Sequence, residues 1–241
     1  MATGQLCVEN DGQHLEVSFP DTDRIRELLR NILLGNEYPL LPQHMLQPDC
    51  VIDIGANVGA TAVYFASHYP DARILCFEPS PSNVRYLYEN TKHLPHVSVF
   101  NVGLADRDTQ TRLYLGKFHC LQHSIFRGWG VEENYEEVVI RRASAALGGL
   151  ITGRCILKVD CEGCEVSVLR DLRPVLDSID VVYIEYHSER DRLRFDDMLA
   201  SRFKLWNSTA KVVHRGNLAY ISRALLQRWP ELEEREIVNA L

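Results

Sequence analysis

The chain has 241 residues, 46% of them hydrophobic, and a formal net charge of -7 at pH 7. That length can bury one large core, so we expect a single domain. The acidic balance excludes a protein that binds nucleic acid through a broad basic face, and no apolar run has transmembrane length. The first residues lack the pattern of a secretory signal, and the seven cysteines form no disulfide framework. We therefore expect a cytoplasmic protein with neither a membrane nor a nucleic-acid partner.

The N-terminal part predicts a cover that precedes the catalytic core. Alternating apolar residues around Asp11-Gly12 predict a β-hairpin, and a helix capped by Asp21 or Thr22 follows. Tyr38 comes next in a proline-stiffened connection, where it either lines the mouth of a site or is an exposed loop tyrosine. We divide the domain, residues 1–241, into a hairpin-helix cover, a catalytic core and a helical tail: residues 1–47, 48–223 and 224–241.

A strand, a glycine-containing turn and a helix follow one another at the start of the core. The strand ends at Asp53, and the turn carries Gly55 and Gly59. Glycine lets backbone approach a ligand, and the N–H groups of the new helix face an anionic group. The glycine spacing does not match the dinucleotide fingerprint, and Gly59 is not followed by the lysine of a Walker A loop. The turn resembles the first motif of class I S-adenosylmethionine (SAM) methyltransferases, with Asp53 facing the ligand.

The second and third core strands predict the rest of the cofactor site. Residues 72–79 form a strand that ends at Glu78, where one carboxylate can accept hydrogen bonds from both hydroxyls of an adenosine ribose. The alternative for Glu78 is a solvated carboxylate at a strand end. Residues 97–104 predict the third strand, whose end passes close to the adenine.

A loop rich in glycine, histidine and aromatic residues separates two extra strands, predicted over residues 109–115 and 136–142. A loop as long as residues 116–135 is usually functional or mobile in a compact domain. We interpret it as a lid that faces the substrate, and a disordered surface insertion is the alternative. Its residues with chemistry suited to contact the acceptor or cofactor are His119, His123, Ser124, Arg127 and Trp129.

The fourth and fifth core strands carry the candidate catalytic residues. Strand periodicity puts Lys158, Asp160 and Glu162 on one side of residues 156–162, and we expect Lys158 to pair with one of these acids. Asp160 and Glu162 are candidates for a general base, or for binding a divalent cation together with Glu185.

His187 is the first candidate for the general base because its side chain titrates near neutral pH. It shares a strand face with Glu185, and the alternative is a histidine that only hydrogen-bonds this acid. Cys161 and Cys164 form a Cys-x-x-Cys pair. No second pair of ligands at zinc-finger spacing accompanies them, so we predict buried thiols and no metal site.

The glycine turn after the first core strand and the charged residues at the end of the fourth strand together make the chain similar to the FkbM family of SAM-dependent methyltransferases. The similarity covers about residues 36–223. The motifs that carry the similarity are Glu37-Tyr38, Asp53-Ile54-Gly55-Ala56-Asn57-Val58-Gly59, Phe77-Glu78-Pro79, Lys158-Val159-Asp160-Cys161-Glu162-Gly163-Cys164-Glu165 and Ile184-Glu185-Tyr186-His187. The resemblance implies a doubly wound, mostly parallel α/β sheet of seven strands in the order 3-2-1-4-5-7-6, with strand seven antiparallel.

The resemblance also implies an activity. It implies methyl transfer from SAM to a hydroxyl of a sugar, a polyketide or another small molecule. Methylation of an amine or guanidine is the nearest alternative, and a nucleotide-dependent oxidoreductase or a non-catalytic protein of the same fold is the alternative of another class. The sequence leaves open whether the protein forms a homodimer. The residues expected to bind SAM are Asp53, Gly55, Ala56, Asn57, Gly59, Glu78, Pro79, Asn101, Gly103 and Asp160.

Overall fold

The computed structural model describes residues 2–116, 123–126 and 134–234. The strands are β1 (Thr3–Asn10), β2 (Gln13–Pro20), β3 (Cys50–Ile54), β4 (Arg73–Phe77), β5 (Val97–Phe100), β6 (Gly103–Ala105), β7 (Thr109–Tyr114), β8 (Tyr135–Arg142), β9 (Cys155–Val159), β10 (Ile179–Tyr186), β11 (Phe203–Val212) and β12 (Arg215–Ser222). The helices are α1 (Asp23–Leu33), α2 (Ala60–His68), α3 (Pro81–Thr91), α4 (Ala143–Leu147), α5 (Glu165–Asp171), α6 (Glu189–Leu199), α7 (Arg223–Arg228) and α8 (Glu231–Glu234), with a 3-10 helix at Arg173–Ser178.

The core is a seven-stranded sheet in the order β11-β12-β10-β9-β3-β4-β5. Counted along the core, this is the predicted order 3-2-1-4-5-7-6, and β12 runs antiparallel to β10 as expected. Every residue of β3, β9 and β10 is buried, because helices cover both faces of a parallel sheet. These strands are mostly apolar, and the charged residues among them are Asp53, Lys158, Asp180 and Glu185. The carboxyl ends of these strands meet at one edge, which is where ligands bind in such sheets.

The predicted end of the third core strand is wrong. β5 stops at Phe100, and Gly103 begins β6, which belongs to a separate three-stranded sheet in the order β6-β8-β7. The backbone N–H of Val102 donates to the carbonyl of Phe100, so the chain turns away from the large sheet between these strands. Gly103 then lies so close to Ile140 that an added Cβ would be 2.6 Å from the Ile140 Cδ1 atom. This second sheet is thereby held beside the carboxyl end of β4.

The last two strands form a longer hairpin than the sequence indicated. From the sequence we expect the sixth core strand over residues 203–206 and the seventh over residues 217–222. In the structure β11 extends to Val212 and β12 begins at Arg215. The polar residues of the added part are exposed, because β11 is an edge strand of the sheet. The hairpin therefore carries Lys211 and Arg215 to the edge at which the parallel strands end.

The N-terminal cover packs directly on the core. β1 and β2 form the predicted hairpin, and the Thr22 side chain caps α1 by accepting a hydrogen bond from the Ile25 N–H at 3.3 Å. The apolar side chains of both strands join α1, α2 and α3 in one cluster, in which Val17 and Phe19 are fully buried. The cover is thus continuous with the main hydrophobic core.

Part of the predicted lid and of the predicted tail lies outside the described residues. This holds for His119, Arg127 and Trp129 of the lid and for the end of the tail, residues 235–241. Within the ranges that the structure describes, no helix is long and apolar enough to cross a membrane.

Candidate functional site

A cavity of about 450 Å³ opens at the carboxyl ends of β3, β4, β9 and β10. The turn after β3, the end of β4 and the residues that follow β9 form its floor, and α1 and the β11–β12 hairpin flank it. The structure brings together in its wall most of the residues predicted from the sequence, namely Gly55, Ala56, Asn57, Glu78, Pro79, Gly103, Asp160, Glu162 and Glu185. Asp53, Gly59, Asn101 and His187 are not part of this wall.

The two sequence motifs touch at Gly55. Its φ is +80°, and a Cβ on this residue would lie 1.8 Å from the carbonyl oxygen of Asp160. The Asp160 N–H in turn donates to the Ile54 carbonyl at 3.0 Å. Gly59, expected to make room for a ligand, instead packs against α3, where an added Cβ would be 2.7 Å from the Leu87 Cδ1 atom. The absence of a side chain at Gly55 therefore lets the two loops touch, and its absence at Gly59 lets the first turn of α2 pack against α3.

The structure corrects the position of Asp53, which was expected to face the ligand. Its side chain is fully buried, and its Oδ1 atom is 2.9 Å from the ammonium nitrogen of Lys158. Burial alone would lower the pKa of Lys158, but Asp53 and the neighbouring carboxylates raise it to about 12, so Lys158 is charged. Lys158 does pair with an acid as predicted, although with one from the first motif. Asn101 likewise points away from the cavity, and its amide donates to the carbonyls of Glu78 and Pro79.

Glu78 lies in the cavity wall at the end of β4 and is 5% exposed. Its carboxylate accepts hydrogen bonds from the backbone N–H groups of Asn57 and Ser80, both at 2.9 Å. Burial raises the pKa of Glu78 to about 7, although these hydrogen bonds lower it. An added pair of hydroxyl donors would favour the ionised form, so the group suits a vicinal diol.

Asp160 and Glu185 form a pair of carboxyl groups at the centre of the cavity. Burial and then the Glu185 carboxylate raise the pKa of Asp160 well above its usual range. Glu185 is instead held in its ionised form by two cations. The Arg215 Nε atom is 2.9 Å and the Lys211 ammonium 3.3 Å from its carboxylate. Burial would raise the pKa of Glu185, but these two cations lower it strongly. The pair therefore carries its proton on Asp160.

The structure corrects the choice of His187 as the general base. Its ring is 3% exposed, and its Nε2 atom is 3.0 Å from Glu162 and 3.7 Å from Glu185. Its Nδ1 atom is 3.5 Å from Glu165. Burial would lower the pKa of His187, but the three carboxylates raise it to about 9. A buried imidazolium of this kind stabilises the acids around it and cannot accept a proton at neutral pH.

Four of these groups are close enough to be considered for a metal. Asp160, Glu162, Glu185 and His187 offer ligand atoms that all lie within 4.8 Å of one another. Arg215 already binds two of the carboxylates, with its guanidinium 2.9 Å from Glu162 and 2.9 Å from Glu185. The arrangement therefore favours a network of ion pairs over a cation site.

Two parts of the wall were missed by sequence reasoning. The cover was predicted to lie outside the catalytic core, yet Leu28, Leu29 and Ile32 of α1 line the cavity. Lys211 and Arg215 were missed because the sixth strand was ended too early. The β-branched residues Thr209 and Val212 were the signal that could have extended it.

The second sheet supplies an apolar side to the cavity near Gly103. Leu104, Leu113, Ile125 and Ile140 line this side, opposite the turn after β3. Cys161 and Cys164 complete the wall, and both are free thiols. An apolar slot beside a carboxylate such as Glu78 suits a flat ring joined to a diol.

Residues 53–206 match the family model described as the methyltransferase FkbM domain. AmbE, an antimetabolite synthetase of Pseudomonas aeruginosa, is 28% identical over 227 residues that cover 75% of this chain but 11% of AmbE. Methyltransferase 1 of Beauveria bassiana is 28% identical over 198 residues, which cover 73% of this chain and 76% of that protein. The 2-O-methyltransferase NoeI of Sinorhizobium fredii is 40% identical over 63 residues, covering 26% of each chain.

Solved structures show the same fold. A methyltransferase FkbM from Methylobacillus flagellatus superposes with a TM-score of 0.53 at 16% identity, over 78% of this chain and 47% of that one. Fibrillarin from Aeropyrum pernix, solved with bound S-adenosyl-L-methionine, gives a TM-score of 0.53 at 12% identity, over 90% of this chain and 83% of that one. The class I methyltransferase fold implied by the sequence is thereby confirmed.

Proposed function

Because the chain belongs to the FkbM family of methyltransferases, we propose that it transfers a methyl group from SAM to a hydroxyl of a small molecule. The observation that carries the proposal is the Asp160–Glu185 carboxyl pair, which lies in the same cavity as the glycine turn and Glu78. A base and a cofactor cradle in one cavity are what such a transfer needs.

The residues that would hold SAM are the turn of residues 55–57, Glu78 and the apolar slot of the second sheet. The cavity fits the group because it joins a close-approach backbone turn, a buried carboxylate for the ribose and an apolar side for the adenine. The name of the fibrillarin structure, with its bound SAM, supports the same cofactor here. When bound, SAM supplies an electrophilic methyl group on a cationic sulfur, which departs as a neutral thioether.

Asp160 is the residue we assign as general base in place of His187. It is partly exposed in the cavity, and it accepts the proton that the acceptor hydroxyl loses. Binding of the cationic cofactor beside the carboxyl pair would lower the pKa of Asp160, which would then release its resting proton to solvent and leave a carboxylate free to accept the proton of the acceptor hydroxyl. Glu185, fixed by Arg215 and Lys211, hydrogen-bonds the protonated Asp160 afterwards.

The direct test combines SAM binding with transfer of a labelled methyl group into pools of small metabolites. In Asp160→Asn we expect SAM affinity within a few-fold of wild type and transfer about a hundredfold slower. Asp197→Asn, which makes the same change on the exposed face of α6, is the matched control and should leave both unchanged. Absence of SAM binding to the wild-type protein would refute the cofactor, and full transfer by Asp160→Asn would refute the base.

The acceptor is proposed as a small molecule because the chain is acidic, with a net charge of -7. Oxygen as the acceptor atom is supported by the name of NoeI, a 2-O-methyltransferase. The NMR shift of the transferred methyl carbon separates an ether product from an N-methyl product. If the product is methylated on nitrogen, the acceptor is an amine or guanidine and the proposed hydroxyl acceptor is wrong.

A further inference from the structure

Tyr38 is a buried tyrosine that the proposed reaction has not used. It is 6% exposed and lines the cavity, so the expectation of an exposed loop tyrosine is wrong. Across the residues that the structure describes, we find no hydrogen bond to its hydroxyl group. Because Tyr38 lines the cavity and no side chain of the described residues binds its hydroxyl group, that group can hydrogen-bond a ligand there.

The ring of Tyr38 is fixed from several sides. It packs edge-on against Tyr183, with ring centroids 5.6 Å apart, and in a tilted contact with Phe65 at 6.2 Å. Its backbone carbonyl accepts a hydrogen bond from the Tyr64 hydroxyl at 2.9 Å. The hydroxyl group is therefore held in position before any ligand binds, which is what a binding group requires.

The hydroxyl end of this ring lies among the acids of both motifs. Burial raises the pKa of Tyr38 well above its usual range, and the carboxylates of Asp160, Glu185, Asp53 and Glu37 raise it further. Asp53 belongs to the cofactor turn, whereas Asp160 and Glu185 form the proposed base. Tyr38 thus shares the cavity wall with Asp160, Glu185 and the turn of residues 55–57, and its hydroxyl group stays protonated there. Its proton can turn towards the acids while its lone pairs face a cation.

We propose that the Tyr38 hydroxyl oxygen binds the cationic, transferable end of the cofactor and so distinguishes the charged cofactor from its neutral product. The inference rests on the proposed SAM site and deepens it. An oxygen lone pair facing a positive group gives a charge-assisted contact, which is stronger than one between neutral groups. The neutral product, S-adenosylhomocysteine, offers no such charge to Tyr38.

Calorimetric titrations with two probes test this without knowledge of the acceptor. Sinefungin carries an ammonium group where SAM carries its methyl, and S-adenosylhomocysteine has neither. In Tyr38→Phe, we expect the affinity for sinefungin to fall about tenfold and that for S-adenosylhomocysteine to stay within twofold of wild type.

Tyr69→Phe is the matched control. Tyr69 is also buried, stacks on the same Phe65 and has a hydroxyl without a partner among the described residues, but it does not line the cavity. This variant should bind both probes as wild type does, and a thermal melt of each variant checks that it is folded.

Three outcomes would overturn the inference. These are unchanged sinefungin affinity in Tyr38→Phe, an equal loss for both probes, and the same selective loss in Tyr69→Phe. Failure of the wild-type protein to bind either probe would instead refute the SAM site itself, so the two proposals are tested separately. If Tyr38→Phe does not fold, a wild-type preference for sinefungin over S-adenosylhomocysteine supports the inference, and its absence refutes it.

Discussion

Lys158 and Asp53 face each other across the parallel pair of β9 and β3, and their charged atoms lie 2.9 Å apart with both side chains almost completely buried. The Lys158 ammonium also donates to the carbonyl of Gly55 at 2.6 Å. One buried cation therefore joins the acid of the first motif to the backbone of the turn that would hold the cofactor. Asp53 influences binding through this turn and not by touching the ligand.

Asp53→Asn should destabilise the protein by about 3–5 kcal/mol, because it leaves the Lys158 charge buried without its partner. Lys158→Met should have a similar cost for the converse reason. The double variant Asp53→Leu with Lys158→Met should lose less than the sum of the two, since neither charge remains. Urea unfolding monitored by circular dichroism measures these free energies, and strictly additive losses would contradict the pairing.

Gly55→Ala should unfold the site, because the new Cβ would overlap the Asp160 carbonyl at 1.8 Å in addition to the strain of a positive φ. Gly149→Ala is the matched control, since Gly149 has φ +79° but no atom within 4 Å of its added Cβ. The control should lose about 1–2 kcal/mol from backbone strain alone. Thermal melting should place Gly55→Ala well below Gly149→Ala, and equal melting temperatures would show that the two loops are not in contact.

SAM affinity should rise with pH through the pKa of Glu78, which is about 7 in the free protein. Ribose hydroxyls donate to the ionised carboxylate, so binding lowers this pKa and releases a proton. Calorimetry in buffers of different ionisation enthalpy measures that release near neutral pH. Glu78→Gln should abolish it and weaken binding about tenfold or more.

Glu89→Gln, which removes an exposed carboxylate from α3, serves as the comparison for Glu78→Gln. It should keep both the proton release and the affinity of the wild-type protein. Proton release that persists in Glu78→Gln would show that another group titrates on binding.

The free energy of unfolding should fall as the pH rises from neutral to about 10, because His187 has a pKa of about 9 in the folded protein and about 6.5 when unfolded. Because the pKa of His187 is raised on folding, its stabilisation is complete below the pKa of the unfolded state. It is lost as the pH rises through the pKa of the folded state. We expect this loss to amount to about 2–3 kcal/mol.

His187→Gln should flatten that part of the pH profile and be less stable than wild type at neutral pH. His14→Gln is the comparison, since His14 makes an exposed pair with Glu9. Urea titrations across the pH range supply the measurement. If the free energy of unfolding of His187→Gln still falls steeply as the pH rises, groups other than His187 cause the pH dependence.

Local patterns in the sequence predicted the strand-turn-helix at the start of the core and several residues of the cavity wall, and the family resemblance implied the order of the sheet. Glycine spacing and the acid at the end of β4 depend on nearest neighbours along the chain, which is why Gly55, Asn57 and Glu78 were found. The expected positions of His187 and Asp53 in the cavity wall were wrong because a residue type does not reveal its partners. His187 pairs with Glu162 and Glu165 from the segment after β9 and with Glu185 of β10, and Asp53 pairs with Lys158.

The sequence by itself determined the α/β class and the glycine turn, because these follow from periodicity and short-range spacing, and its motifs carried the resemblance to the family. Only the tertiary structure decided how the carboxyl pair is charged. Arg215 and Lys211 approach Glu185 from a hairpin more than twenty residues away in the chain, and their charges move the proton of the carboxyl pair onto Asp160. It also brought Tyr38 from a loop into the centre of the cavity, since burial depends on what packs around a residue and not on its neighbours in sequence.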